Sequence, residues 1–133
     1  RNIREEKGFT YGIYSMLQTY RNDGVFFIQT DTAIENTEAC INEIYMEIDR
    51  LQNGVIEEYE LLQARSYLAG KFLSRMDGPF QQMEVLKNYH VEGIDIEHFD
   101  QFAETLMTVN GKELQILAGK YFQRQDFYEV IAG

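Results

Sequence analysis

Hydrolytic chemistry needs a bound metal or an activated nucleophile, and this chain offers few residues for either. The two histidines, His90 and His98, belong to no His-Glu-x-x-His or His-x-x-Glu-His pattern. A catalytic zinc takes about three convergent protein ligands, so both histidines read as helix surface. Cys40 falls on the apolar stripe of a helix, where a thiol packs as a small hydrophobe. Ser15, Ser66 and Ser74 lie inside regular elements, away from any Gly-x-Ser-x-Gly elbow. Gly-rich phosphate loops are absent from the sequence. The pairs Glu5-Glu6 and Glu57-Glu58 are solvated helix surface, the second also favoured by the positive end of a helix dipole. Elimination leaves no catalytic residue in this chain alone.

One stretch carries a different combination. Arg4-Glu5-Glu6-Lys7-Gly8-Phe9-Thr10-Tyr11 puts an arginine on a helix end, a glycine turn after it, and a tyrosine at the start of a strand. Arginine can orient a peptide backbone through its planar fork. Tyrosine can donate a hydrogen bond to an oxygen that gains charge. From spacing alone, the simpler account is an exposed arginine paired with nearby acids and a tyrosine packed at a strand start.

The elements that must hold this stretch follow from periodicity. Residues 1–7 read as the last turns of a helix, closed by Lys7 and Gly8. Tyr11 to Tyr20 alternates as a strand, with Tyr11, Ile13, Ser15, Leu17 and Thr19 on one face and Tyr14, Met16 and Tyr20 on the other. Asn22-Asp23-Gly24 reverses the chain, and Val25 to Thr30 returns. From Asn36 the period becomes helical, with Cys40, Ile41, Ile44, Ile48 and Leu51 in one stripe that ends at Asn53-Gly54.

Leu61, Ala64, Leu68 and Phe72 line a second helix, which Asp77-Gly78-Pro79 breaks with Gly78 as its C-terminal cap. Phe80, Met83, Leu86 and Tyr89 or His90 line a third, ending near Gly93. Residues 95–108 form a fourth, with Phe99, Phe102, Ala103 and Leu106 inward. Asn110 and Glu113 make a capping box for a fifth, lined by Leu114, Leu117, Ala118 and Tyr121. Phe127 to Ile131 reads as a closing strand.

The predicted fold is therefore α/β, in the sense of an α+β sandwich. An antiparallel hairpin and a C-terminal strand pack on about five helices in a single domain over residues 1–133. A sheet of three strands is thin beside the usual ~4–6. Upstream sequence or a second copy is expected to complete it, and a homodimer that shares strands would supply the missing edges.

Bulk composition agrees with one globular domain of 133 residues, 44% hydrophobic and 26% charged. A chain of this length can bury roughly two-thirds of its unfolded surface. The net charge of −10, with 12 basic residues dispersed among 22 acidic ones, argues against nucleic acid. An acidic surface of this kind serves solubility. No window reaches the ~18 apolar residues of a membrane span. A single cysteine excludes an internal disulfide. The charged start lacks the pattern of a signal peptide; for a bacterial source the compartment stays open between cytoplasm and periplasm.

The run Ile3-Arg4-Glu5-Glu6-Lys7-Gly8-Phe9-Thr10-Tyr11-Gly12-Ile13-Tyr14-Ser15 closely resembles the C-terminal, non-catalytic domains of pitrilysin/insulinase-like zinc peptidases, the mitochondrial-processing-peptidase type included. The resemblance continues through the Gly24 hairpin, Glu58-Tyr59-Glu60-Leu61-Leu62-Gln63-Ala64-Arg65-Ser66-Tyr67-Leu68-Ala69-Gly70 and Val130-Ile131-Ala132-Gly133. It implies two homologous halves or subunits around a chamber. One half carries zinc through His-x-x-Glu-His, and the other contributes an arginine and a tyrosine to the scissile peptide. Arg4 and Tyr11 match that pair, and the expected partners are a zinc-bearing homologous half and a peptide substrate.

A full half of that family begins with a strand and a helix before the arginine, so the resemblance also implies an N-terminally truncated half. The missing zinc motif has two explanations. Either the zinc sits in another chain or domain, or the protein is a catalytically silent scaffold, as relatives in the respiratory cytochrome b–c complex are.

Overall fold

The computed structural model of the protein describes residues 2–20 and 22–133. Arg1, read from the sequence as part of the last helical turns over residues 1–7, lies outside them. The chain forms two compact units, residues 1–55 with 115–133, and residues 56–114.

The first unit opens with a single wide turn, Asn2–Glu6, of π type rather than α. Its Lys7 N–H reaches Asn2 O at 2.9 Å, and Phe9 N–H returns to Ile3 O at 3.1 Å. That return requires the left-handed backbone that Gly8 adopts (φ 65°), a conformation glycine takes without a Cβ penalty. Strands β1 (Thr10–Thr19) and β2 (Gly24–Thr32) follow as an antiparallel pair. After a short 3-10 turn at Ile34–Asn36 comes α1 (Thr37–Asn53), whose apolar stripe buries Cys40 and Ile48 as its spacing predicts.

The second unit holds α2 (Glu58–Ser74), α3 (Pro79–Glu92) and α4 (Glu97–Thr108). Its rings cluster: Phe72 stacks with Phe99 at 4.4 Å and Phe102 at 5.4 Å, and Tyr89 meets Phe99 at 6.5 Å, but Phe102, expected inward, is half exposed. Arg65 donates to Val109 O and lies 3.7 Å from Glu58, tying α2 to the end of α4. Helix α5 (Gly111–Tyr121) belongs by its first residues to the second unit and by the remainder to the first. Its predicted capping box is present: Glu113 N–H donates to Asn110 Oδ1 at 3.0 Å, and Asn110 N–H to Glu113 Oε2 at 2.8 Å.

The α+β class and the hairpin-then-helices order stand. Three local expectations change. Segment 127–131 is not a sheet strand. Phe127 is extended (φ −91°, ψ 138°), but the segment is held on α1, where Phe127 meets the Tyr45 ring edge-on at 6.2 Å and the Arg124 guanidinium carbon lies 4.1 Å from the centroid of the same ring. The segment forms no ladder with the hairpin, so the sheet has two strands among the described residues.

Gly78, expected to close α2, instead starts α3 at φ 104°, ahead of Pro79 in the first helical position. Helix α2 ends earlier, at Arg75, whose N–H bonds back to Lys71 O and Phe72 O. Finally, the predicted inner face of α3 is solvent-facing, with Phe80, Met83 and Leu86 all exposed. Periodicity reports that a helix has an apolar face, and a packing partner must still arrive to cover it.

Candidate functional site

The Arg4-to-Tyr11 segment is held from beneath. Ile3, 5% exposed, plugs the turn into the first unit. The Asn2 side-chain amide donates to Glu43 Oε1 and Glu47 Oε1, each at 2.6 Å, and Lys7 Nζ lies 3.6 Å from Glu43 Oε2. Glu43 is 9% exposed on α1, so its carboxylate gathers two cationic or amide partners in a partly dry setting. The turn is thereby fixed to α1. Arg4, between those anchors, points outward and pairs with Glu5 at 2.6 Å.

Tyr11 sits at an irregularity that alternation did not reveal. Thr10 pairs with Thr32 and Ile13 with Thr30, so β1 spends one residue more than β2 over this interval. The surplus is a β-bulge at Tyr11-Gly12, opposite Asp31. A bulge re-aims the side chains around it and leaves ladder groups unpaired. Thr10, 8% exposed, satisfies them: its Oγ1 accepts the Gly12 N–H at 3.1 Å and donates to Gly12 O at 2.8 Å. Thr30 Oγ1 lies 2.9 Å from Thr10 Oγ1 and 3.0 Å from Gly12 O, and Thr32 Oγ1 donates to Phe9 O at 2.7 Å.

The consequence for Tyr11 is complete exposure, 101%. The tyrosine expected to pack at a strand start is presented to solvent instead. Arg4 and Glu5 share an open concavity of about 220 Å³ with Gly12, Ile13 and Tyr14. Arg4 thus borders the bulge, whereas Tyr11 stands outside the concavity's lining. The Tyr14 ring folds over Gly12, where an added Cβ would meet its hydroxyl at 2.9 Å.

The remaining candidates from sequence do not converge. His90 and His98 are exposed on α3 and α4. Cys40 is 1% exposed, and burial pushes its thiol pKa up, away from the thiolate a nucleophile requires. Among the described residues no group of three or more His, Cys, Asp and Glu could hold a metal ion. The donor set here does not fit zinc. Among the described residues no helix is long and apolar enough to cross a membrane.

A second concavity of about 420 Å³ lies between α1 and the tail, lined by Ile34, Thr37, Ile41, Arg124, Glu129 and Ile131 among others. Its lining mixes one cation, carboxylates and aliphatic side chains without a focus for a single ligand charge.

Sequence reasoning missed the threonine hydroxyls and the bulge. The available signal was Gly12: a glycine inside a strand often marks a bulge or a close approach.

An exposed tyrosine on a bulged strand and an arginine on the preceding turn belong to a domain of the α+β class. The family described as the peptidase M16 inactive domain matches residues 1–68, and the chain belongs to it. An uncharacterized zinc protease of Rickettsia felis is 28% identical over 123 residues, covering 92% of this chain and 29% of that protein. The crystal structure of a protease from Helicobacter pylori superimposes with a TM-score of 0.78 at 19% identity, over 91% of this chain and 29% of the other. The chain spans less than a third of the length of each of these relatives.

Proposed function

We propose that this domain is the substrate-side half of a two-part zinc metallopeptidase, and that Arg4 and Tyr11 are its contributions to the peptide site. The observation that carries the reading is Tyr11 itself, seven positions after Arg4 in the family's motif and fully exposed on a bulge. In this reading a homologous partner half would hold the zinc that activates water; among the described residues no group of three or more His, Cys, Asp and Glu could hold a metal ion. Within that chamber, the Tyr11 hydroxyl donates a hydrogen bond to the scissile carbonyl oxygen as it gains charge. Arg4, already at the rim of a concavity, orients the peptide backbone beside it. Such donors matter because they are in place before the charge develops.

A second reading has its own support. Tyr14, Met16, Leu17, Tyr20 and Val25 leave the outer half of the hairpin apolar and exposed, as an assembly surface would be. A catalytically silent scaffold subunit of the same fold would use that surface and not Tyr11.

A peptidase assay on the intact parent polypeptide, with and without a partner that carries His-x-x-Glu-His and zinc, separates the two. The substrate-side reading expects hydrolysis only when both are present, with a fall of about 10²–10³ in kcat for Tyr11→Phe, the scale of losing one preorganised donor. A stable complex that hydrolyses nothing would establish the scaffold.

A further inference from the structure

Tyr11 can act on a peptide only if something fixes its aim. A tyrosine that is fully exposed makes no packing contacts of its own, so its aim must come from the backbone beneath it. That backbone is a bulge, where ladder hydrogen bonds are interrupted and the strand would otherwise be soft. Three hydroxyls replace the missing ladder. Thr10 Oγ1 closes a ring on its own strand by accepting from Gly12 N–H at 3.1 Å and donating to Gly12 O at 2.8 Å. Thr30, across the hairpin, approaches both Thr10 Oγ1 (2.9 Å) and Gly12 O (3.0 Å). Thr32 takes Phe9 O on the other side of the bulge at 2.7 Å.

The proton count closes. Thr10 spends its one proton on Gly12 O, and Thr30 shares its own between Thr10 Oγ1 and the same carbonyl. Thr10 is 8% exposed, so water competes poorly for these bonds. The flanking residues of Tyr11 are therefore tied to each other and to β2, while its side chain is left untouched.

We propose that Thr10 and Thr30 are positioning residues for Tyr11, their hydroxyls locking the bulge that aims the tyrosine at substrate. The proposal rests on the Proposed function, because it needs Tyr11 to act on a peptide. A lock of this kind costs rate when lost, since misplacing a catalytic group by about 1 Å can reduce turnover by about 10²-fold.

The test uses the full-length polypeptide with its zinc-bearing partner and reads kcat, KM and amide hydrogen exchange at Gly12. Thr10→Val keeps the shape and removes the hydroxyl, and Thr10→Ser keeps the hydroxyl. We expect Thr10→Val to lower kcat by about 10–100-fold with KM nearly unchanged and Gly12 exchange accelerated, the scale of a misplaced donor. Thr10→Ser should restore both readouts, and Thr30→Val should move them the same way by less. Exposed Thr19→Val on the same strand is the unchanged control. If Thr10→Val does not fold, Thr30→Val and Thr10→Ser carry the comparison. A Thr10→Ser variant as slow as Thr10→Val, or fast Gly12 exchange with full kcat while Tyr11→Phe is crippled, overturns the lock but leaves the role of Tyr11 standing. Full activity in Tyr11→Phe overturns that role, and the positioning claim with it.

Discussion

The guanidinium carbon of Arg124 lies 4.1 Å from the centroid of the Tyr45 ring, so a tail residue covers one face of an α1 side chain. Phe127 meets the same ring edge-on, and the negative charge of Glu129 acts on its hydroxyl. One tyrosine thus clasps three residues of the chain's end. The Tyr45 pKa is raised, first by desolvation and then by the Glu129 carboxylate, with Arg124 opposing.

The sign of the resulting pH dependence follows. A raised folded-state pKa means the fold favours neutral Tyr45. The stabilisation is fully present below the ordinary tyrosine value of ~10 and is lost as pH rises through the folded value. Melting temperature measured from pH 7 to 11 should fall on the alkaline side, and Tyr45→Phe should flatten that fall. Identical alkaline slopes in both proteins would rule the clasp out as their cause.

Two glycines should respond to substitution for opposite reasons. At Gly8 the cost is conformational, since φ is 65° and no atom lies within 4 Å of an added Cβ. Gly8→Ala should lose about 1 kcal/mol, and Gly8→Asn less, because asparagine tolerates the left-handed region. At Gly54 φ is −83°, but a Cβ would meet Arg50 O at 2.6 Å. Alanine and asparagine should there be equally harmful, as urea unfolding midpoints would report.

Glu43 holds the N-terminal turn through Asn2 and Lys7. Glu43→Ala should cost about 1–3 kcal/mol, because it strips a partly buried donor pair of its acceptor. Faster amide exchange at Lys7 and Phe9, the two amides that close the turn, would locate the damage. Unchanged exchange there would show that Ile3 and the Asn2–Glu47 hydrogen bond hold the turn without Glu43.

The box at the start of α5 predicts a local effect. Asn110→Ala and Glu113→Ala should each cost about 1 kcal/mol, and the double variant less than the sum, because each side chain caps the other's backbone. Strict additivity by thermal unfolding would mean that the two caps act independently.

What the sequence determined by itself is what is encoded within a few residues. The stripe of Cys40, Ile44 and Ile48, the Asn110–Glu113 box, Pro79 in its first-turn position and the reversal at Gly24 are neighbours along the chain, and all four are found. The spacing of Arg4 and Tyr11 was equally legible, as was the family it resembles. The aim of Tyr11 was not. Alternation put it on one face with Ile13, but pairing with Thr30 and Thr32 inserts a bulge between them, and register belongs to two strands at once. The closing strand was lost for a similar reason: extended, aromatic sequence suits a ladder, yet Tyr45 on α1 engages it instead. Periodicity likewise gave α3 an apolar face without saying what would cover it. Local hydrogen bonds and caps depend on residues three or four apart, whereas register, burial and side-chain aim depend on partners that only folding brings near.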